Sequence, residues 1–279
     1  MCTIVIHGTQ SRDESWWIVK RPGGFLDALA QGMRQGGKEA DVWMIDERPI
    51  ADFAPPPSPP DGEPFEHIDG HFRWSGEFGH EARMRDGKRL ARYLESLSQI
   101  HPSEPINVIA HGHGCNLVKI ATHYVQPGTL LGRAVFLGAP YCEIVDGDQP
   151  FPYRLSAQSL SRDVAGAAPV LNVYSQEDVV QVDWTDCFPD QDQPGEDWEH
   201  RLTTLYNAHR VDPDPYASYA YDNVELPTRL GAGPHVHLAM HGPTTGLLTG
   251  FWLARWPEMT GGDCMRNFGI ESISDPNSG

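Results

Sequence analysis

The chain has 279 residues and a mass of 31.0 kDa, enough for one α/β domain with a substantial buried core. Its formal net charge of −17 would repel a phosphate backbone, and its densest basic segment, residues 82–92, follows a helical pattern typical of a solvated face. We therefore expect no nucleic-acid partner. The chain contains no run of 18 apolar residues, which argues against a membrane-spanning helix.

Cysteine usage and the first residues of the chain indicate its compartment. The five cysteines lie far apart without a Cys-x-x-Cys pair, so we expect reduced thiols rather than a disulfide framework or a zinc knuckle. The first residues, MCTIVIHGTQ, have no basic region and only a short apolar run, which predicts a strand rather than a signal peptide. A cytoplasmic protein is expected, and export without an N-terminal signal stays open.

Short apolar runs alternate with helical patterns along the chain. The runs predict five buried parallel strands: TIVIHG at 3–8, DVWMID at 41–46, PINVIAH at 105–111, RAVFLGAP at 133–140 and PVLNVYSQED at 169–178. Apolar residues at helical spacing predict four helices, at 25–35, 81–99, 116–126 and 244–255. This alternation predicts a doubly wound α/β domain with a mostly parallel sheet, spanning residues 1–279.

Three stretches interrupt the alternation. The proline-rich segment at 54–64 predicts an exposed loop, because proline fits neither a helix interior nor a central strand. The excursions at 141–168 and 184–230 are rich in Asp, Pro, Tyr and Trp. Loops of that length in a compact domain are usually functional, so we expect them to form a lid or cap over a binding site.

The segment INVIAHGHGCNLVKIA, residues 106–121, predicts a strand, a tight turn and a helix. A catalytic nucleophile elbow has this layout, with small residues two before and two after the nucleophile because the turn is crowded and strained. Ala110 and Gly114 meet that requirement, whereas the nucleophile position itself is Gly112. Glycine tolerates the strained backbone, so the turn should persist without its reactive side chain.

The segment resembles the AHSHGGN elbow of bacterial serine esterases and lipases of the α/β-hydrolase superfamily, with departures at Gly112 and Cys115. Three other segments are similar to parts of the same family: IVIHGT near the start, FRWSGE at 72–77 and NVYSQEDVV at 172–180. The resemblance implies an α/β-hydrolase fold and hydrolysis of carboxylic esters by a Ser-Asp-His triad. It further implies a small-molecule or lipid ester as substrate, without a cofactor or a metal.

The acid of such a triad orients the histidine, and in this fold the chain order is nucleophile, acid, histidine. Asp178 follows the strand predicted at 169–178 at its carboxyl end, where open α/β sheets place functional residues, and is the preferred acid. Asp183 and Asp186 lie close behind it and are interpreted as solvated loop acids, although they remain alternatives.

The segment GPHVHLAMHGP offers three histidines before the predicted helix at 244–255, where the family has its catalytic histidine. By similarity to family segments of the form His-x-x-x-His-x-Pro, His237 is the base and His241 a supporting group, as is His111 beside the elbow. His235 is interpreted as a loop histidine. The resemblance assigns the oxyanion hole to backbone N–H groups of Thr9 or Gln10 and of His113.

The glycine at position 112 leaves two explanations open. A serine could have been replaced deliberately to trap a substrate, or the chain could be a natural pseudohydrolase that acts as a binding or interaction protein. In either case removal of the nucleophile costs several orders of magnitude in rate, so the chain as it stands is expected to be inactive or trapped.

Two other chemistries are compatible with parts of this segment. His111-x-His113 resembles part of the His-x-His-x-Asp-His zinc signature of metal-dependent hydrolases, but the remaining positions of that signature are Cys115 and Asn116. Cys115 itself could be a nucleophile, yet its place inside the following helix favours a buried structural thiol.

Overall fold

The computed structural model describes part of the chain: residues 2–9, 16–17, 22–38, 67–68, 71–77, 80–100, 102, 105–129, 131–140, 155–156, 170–175, 177–178, 221–226 and 234–270. The described strands are β1 Cys2–Ile6, β2 His67–Ile68, β3 His71–Phe72, β4 Ile106–His111, β5 Leu131–Leu137, β6 Val170–Tyr174 and β7 Tyr221–Glu225. The described helices are α1 Phe25–Gln35, α2 His80–Ile100, α3 His113–Ala121, α4 Pro234–Ala239, α5 Pro243–Arg255 and α6 Gly261–Phe268.

Five of the described strands form one sheet, in the order β1-β4-β5-β6-β7, and each neighbouring pair among them is parallel. Its strands consist largely of buried apolar residues because both faces of the sheet are covered. β2 and β3 form a separate antiparallel ribbon. The expected α/β class with a parallel sheet is confirmed.

Side chains that alternate along each strand divide the core into two layers. On β4, Val108 and Ala110 pack with apolar residues of α2 and α3, whereas Ile109 packs with residues of α1 and α5. Successive residues of a strand point to opposite faces, so α2 and α3 cover one face and α1 and α5 the other. The elbow thus lies at the end of an interior strand that is buried from both sides.

The contact between α1 and α5 depends on glycine. A Cβ at Gly250 would lie 2.0 Å from the carbonyl oxygen of Leu29, and one at Gly32 would lie 2.2 Å from that of Leu247. Both distances are far below van der Waals contact, so the two backbones approach closely only because these positions lack side chains.

Four of the five predicted strands are present as β1, β4, β5 and β6; the fifth, at 41–46, lies outside the described residues. The proline-rich segment and most of both excursions also lie outside them, but the end of the second excursion forms β7 at the sheet edge. The short β2–β3 ribbon was not predicted either.

Among the helices, α1, α2 and α5 match the predicted spans to within one residue at each end. The prediction for α3 was displaced: it begins at His113, directly after the elbow, and ends at Ala121. It ends early because His123 and Tyr124 donate to the carbonyls three residues before them, which tightens the last turn into 3₁₀ geometry. No helix in the described ranges is long and apolar enough to cross a bilayer.

Candidate active site

The candidate site lies at the carboxyl edge of the sheet, where parallel α/β sheets place their ligands. β4 ends there and leads into Gly112, β5 leads into Gly138, and β6 leads through Ser175 to Asp178. The backbone N–H of Gly112 donates to the carbonyl of Leu137, N···O 2.9 Å, so the parallel ladder continues one residue past the strand end. This hydrogen bond fixes the position of the turn relative to the end of β5.

The backbone of Gly112 has φ 54° and ψ −133°, in a region that only glycine occupies without strain. It turns β4 directly into α3, as a nucleophile elbow does. Two residues later, a Cβ at Gly114 would lie 2.5 Å from the carbonyl oxygen of His7. A side chain at Gly114 would therefore push α3 away from the end of β1.

Asp178 and His237 meet above this turn. His237 Nδ1 lies 2.8 Å from Asp178 Oδ2, and the carboxylate side chain is fully buried whereas the imidazole is 12% exposed. A carboxylate only accepts, so Nδ1 carries the proton, and in the neutral ring Nε2 is the basic nitrogen. This is the relation of acid to base in a hydrolase triad.

The basic nitrogen faces the elbow. A Cβ built on Gly112 would lie 3.2 Å from His237 Nε2 and 3.6 Å from the Cα of Gly8. Gly138 leaves room for the pair, since a Cβ there would lie only 3.1 Å from both Asp178 Oδ2 and His237 Nδ1. The structure thus brings three predicted residues together: Gly112, Asp178 and His237.

His111 packs behind His237. Its Nε2 lies 3.2 Å from the backbone carbonyl oxygen of His237, which cannot donate, so Nε2 carries the proton of the neutral ring. Its Nδ1 would lie 3.0 Å from a Cβ at Gly8, so this nitrogen is pressed against the loop after β1. Burial, with smaller contributions from His237 and His241, holds the pKa of His111 well below its usual value of 6.5.

His241 completes this group of rings. Its imidazole stacks on the indole of Trp16 with ring centroids 4.6 Å apart and packs edge-on against His111 at 5.0 Å. Burial lowers the pKa of His241 to about 3, with a smaller contribution from the charge of protonated His237. Both histidines are therefore neutral at neutral pH. His111 contacts His237 through ring packing and one hydrogen bond, and His241 packs against His111.

The predicted oxyanion donors are only partly described. His113 begins α3, so its backbone N–H lies at the amino-terminal end of a helix, where the macrodipole favours negative charge. Thr9 follows Gly8, whose Cα would lie 3.6 Å from a Cβ built on Gly112, and Gln10 lies outside the described residues. Of the other predicted residues, Asp183 and Asp186 also lie outside them.

The FRWSGE segment at 72–77 supports the same edge of the sheet. Trp74 Nε1 donates to the carbonyl of His7, N···O 2.8 Å, and the rings of Trp74 and Trp17 pack on the imidazole of His7. The hydroxyl of Ser75 donates to buried Asp86 on α2, O···O 2.7 Å. The segment therefore connects α2 to the loop after β1.

The Asp178–His237 pair is called the dyad below. The cysteine and zinc alternatives lack the close contacts that this dyad makes. Cys115 is fully buried, contacts the carbonyl of Ala110 through its sulfur, and has its pKa raised to about 12, mainly by burial. A thiol in that state is inert. His111 and His113 belong to different elements, and among the described residues no three His, Cys, Asp or Glu side chains are close enough together to hold a metal ion. Cys115 and Cys264 are free cysteines in the described part of the chain.

Some features of the site had no signal in the sequence analysis. No helix was predicted for the segment that carries His237, but it forms the short helix α4, which also includes His235, interpreted from the sequence as a loop histidine. Gly8 and Gly138 lie close to Gly112 and to the Asp178–His237 pair, respectively, and both stand in the carboxyl-terminal part of a predicted strand, which could have marked them as close-approach positions. Trp16 could not have been linked to His241 without the tertiary structure.

No family model matches the chain, and no curated protein matches it in sequence. Among solved structures it is similar to LpqC, a poly(3-hydroxybutyrate) depolymerase from Bordetella parapertussis, with 15% identity over 93% of this chain and 79% of that one and a TM-score of 0.40. Poly(aspartic acid) hydrolase-1 from Sphingomonas sp. KT-1 has 17% identity over 92% and 88%, also with a TM-score of 0.40. Lipase B of Aspergillus fumigatus has 14% identity over 62% and 37%, with a TM-score of 0.31.

Likenesses at these scores say nothing about chemistry, so the geometry of the chain itself carries the inference. A parallel sheet covered on both faces, a strand-turn-helix elbow on an interior strand and an acid after a later strand make up the α/β-hydrolase fold. The fold expected from the sequence is present.

Proposed function

We propose that this protein has the active site of a carboxylic ester hydrolase, with Gly112 at the nucleophile position, Asp178 as the acid and His237 as the base. The observation that carries the proposal is the line of contacts from Asp178 Oδ2 through His237 to the elbow. It comprises 2.8 Å from the carboxylate to Nδ1 and 3.2 Å from Nε2 to a Cβ built on Gly112.

A serine at position 112 would complete this line. Its Oγ would attack the acyl carbon while His237 Nε2 takes the hydroxyl proton and later returns it to the leaving alcohol. Asp178 would hold the ring in the productive tautomer and stabilise the imidazolium. The backbone N–H groups of His113 and of the loop after β1 would bind the negative charge that develops on the carbonyl oxygen.

The test is Gly112→Ser, assayed against p-nitrophenyl esters of graded chain length and then against phospholipids. We expect hydrolysis to rise by roughly three orders of magnitude or more over the glycine form. Gly112→Ala is the matched control, because it imposes the same backbone strain and adds the same Cβ without a hydroxyl. It should show no gain.

A Gly112→Ser protein that folds normally yet hydrolyses no ester, thioester or amide would defeat the proposal. The dyad would then be a remnant, and a pseudohydrolase that binds a ligand or a partner would be the better account. Chain-length preference in an active variant would separate a lipid-sized groove from a pocket for short acyl groups.

A further inference from the structure

We infer that Trp74 is a positioning residue for the oxyanion hole of this site. It holds His7, and His7 in turn fixes the peptide that joins Gly8 to Thr9, so that the N–H of Thr9 is presented to the substrate. The inference rests on the proposed function, because it concerns a donor that would bind the negative charge of the same reaction. It gives a role to the segment FRWSGE at 72–77, which the triad itself does not use.

The hydrogen bonds of His7, which is fully buried, fit one tautomer of its ring. Nδ1 lies 2.8 Å from the carbonyl oxygen of Gly8, which only accepts, so Nδ1 carries the proton. The backbone N–H of Trp74 donates to Nε2, N···N 3.4 Å, so Nε2 is the acceptor nitrogen. Both bonds are satisfied by the same neutral ring. His7 is therefore a fixed donor to the carbonyl of Gly8.

This hydrogen bond sets the direction of the peptide between Gly8 and Thr9. The peptide is trans, so its C=O and N–H lie on opposite edges of one plane. With the carbonyl held by His7, the N–H of Thr9 points away from the imidazole. Neither this N–H nor the hydroxyl of Thr9 has a hydrogen-bond partner among the described residues. The N–H is thus available to a substrate oxygen, as an oxyanion donor must be.

The same stretch of chain lies against the elbow. The Cα of Gly8 is 3.6 Å from the position of a Cβ built on Gly112. The carbonyl oxygen of His7 lies beside the first turn of α3, because a Cβ at Gly114 would be only 2.5 Å from it. A shift of His7 and Gly8 would therefore move one oxyanion donor relative to the elbow and to the start of α3, where the other donor lies.

Trp74 fixes His7 from its side chain as well as from its main chain. Its Nε1 donates to the carbonyl of His7, N···O 2.8 Å, and its ring packs on the imidazole with centroids 5.6 Å apart and an interplanar angle of 20°. The next residue, Ser75, donates from both its N–H and its hydroxyl to Asp86 of α2, whose side chain is fully buried. The position of His7 is therefore tied through Trp74 to α2, in addition to β1.

The experiment removes the indole N–H and keeps an aromatic ring, by Trp74→Phe in the Gly112→Ser background. We expect kcat for p-nitrophenyl butyrate to fall roughly tenfold to a hundredfold, because misplacing a catalytic group by about 1 Å costs about 10²-fold. KM should change by less than about twofold. The Ki of an alkyl trifluoromethyl ketone should rise by the same factor as kcat falls, since its adduct with the introduced serine carries the negative oxygen. A loss of packing alone would not change kcat and this Ki in parallel.

Trp252→Phe in the same background is the matched control. Trp252 is also fully buried, and its Nε1 donates to Asp222 Oδ2, N···O 3.0 Å. Asp222 lies in the amino-terminal half of β7, away from the carboxyl edge of the sheet. This variant loses one buried indole hydrogen bond as Trp74→Phe does, so its stability in urea should fall while its kcat and Ki stay unchanged.

A second pair of variants tests the ring of His7. His7→Asn keeps an N–H donor at the δ position for the carbonyl of Gly8, whereas His7→Leu has a similar size and no donor. Loss of an oxyanion donor costs roughly 10²–10³-fold in kcat, so His7→Asn should retain at least about tenfold more of kcat than His7→Leu. Circular dichroism checks that each variant is folded, and either pair decides the test by itself.

The outcomes separate this inference from the proposed function. If Gly112→Ser is active and Trp74→Phe changes neither its kcat nor its Ki, the inference fails and the proposed function stands. Equal falls of kcat in Trp74→Phe and Trp252→Phe, or in His7→Asn and His7→Leu, would overturn the inference in the same way. If Gly112→Ser itself hydrolyses no ester, both fail.

Discussion

The backbone at Gly112 allows the elbow assignment to be tested by stability alone. Replacement by alanine places a Cβ on a residue with φ 54° and ψ −133°, a conformation that costs residues other than glycine about 1–3 kcal/mol. The same replacement restricts the unfolded chain and so stabilises by about 0.4–1 kcal/mol. The midpoints of these two ranges leave a net loss of about 1–2 kcal/mol in the free energy of unfolding.

The surroundings of Gly112 do not relieve this strain. The new Cβ would lie 3.2 Å from His237 Nε2, so the imidazole must move by a few tenths of an ångström while staying bonded to Asp178. Gly112→Ser should lose a similar amount of stability, because it has the same backbone and the same Cβ. Restored activity would therefore accompany lowered stability.

The control is Gly262→Ala in α6. That residue has ordinary helical backbone, and the atoms nearest to a built Cβ are the side-chain ends of Arg266 and Thr260, at 3.8 and 3.9 Å. Alanine should stabilise this helix by about 0.5–1 kcal/mol. The same chemical change is thus expected to have opposite signs at the two positions.

The assay is thermal or urea unfolding followed by circular dichroism. In a domain of this size each kcal/mol corresponds to roughly 2–4 °C in Tm, so Gly112→Ala should melt roughly 2–8 °C below the unmodified protein. If Gly112→Ala is as stable as the unmodified protein while Gly262→Ala behaves as expected, residue 112 is not in the left-handed region. The elbow would then not exist.

Three further outcomes are expected. In the Gly112→Ser background, Asp178→Asn should lower kcat by about 10⁴-fold with little change in KM, because the amide favours the wrong tautomer of the base; an unchanged kcat in a steady-state ester assay would remove Asp178 from the site. Burial lowers the pKa values of His111 and His241, so between pH 6.5 and about 3 the unfolded chain binds more protons and stability falls as the pH falls. His241→Phe should therefore recover up to about 2 kcal/mol of the loss between pH 7 and pH 5 in urea unfolding, whereas an unaltered pH dependence would contradict the assignment of His241. Cys115, with its pKa raised to about 12 by burial, should not react with iodoacetamide in the folded protein and should react on unfolding, as followed by peptide mass mapping; rapid labelling of the native state would reopen the cysteine mechanism.

Local patterns were sufficient for most of the regular elements. The β-branched runs at β1, β4, β5 and β6 are almost wholly buried, so their composition alone reports their position in a covered parallel sheet. α1 and α2 have apolar residues at helical spacing because one face of each helix packs against the sheet. By contrast, β7 has the sequence YDNVE, which lacks a continuous apolar run, and it becomes a strand through pairing with β6 at the sheet edge. α6 was not predicted from apolar spacing. The capping box formed by Thr260 and Asp263 marks its start and could have indicated it.

The sequence by itself predicted the elbow and a preferred acid, and the family resemblance selected His237 among three histidines as the base. Small residues around position 112 can be read from the chain because crowding at the turn excludes larger ones, and the order of nucleophile, acid and histidine follows from the fold. Only the tertiary structure decided that Nε2 of His237 faces the elbow and how closely it approaches Gly112. It also decided that His111 contacts His237 and that Trp16 stacks on His241. Those relations join residues as far apart in the chain as Trp16 and His241 through packing of separate elements, and no local pattern encodes a distance of that kind.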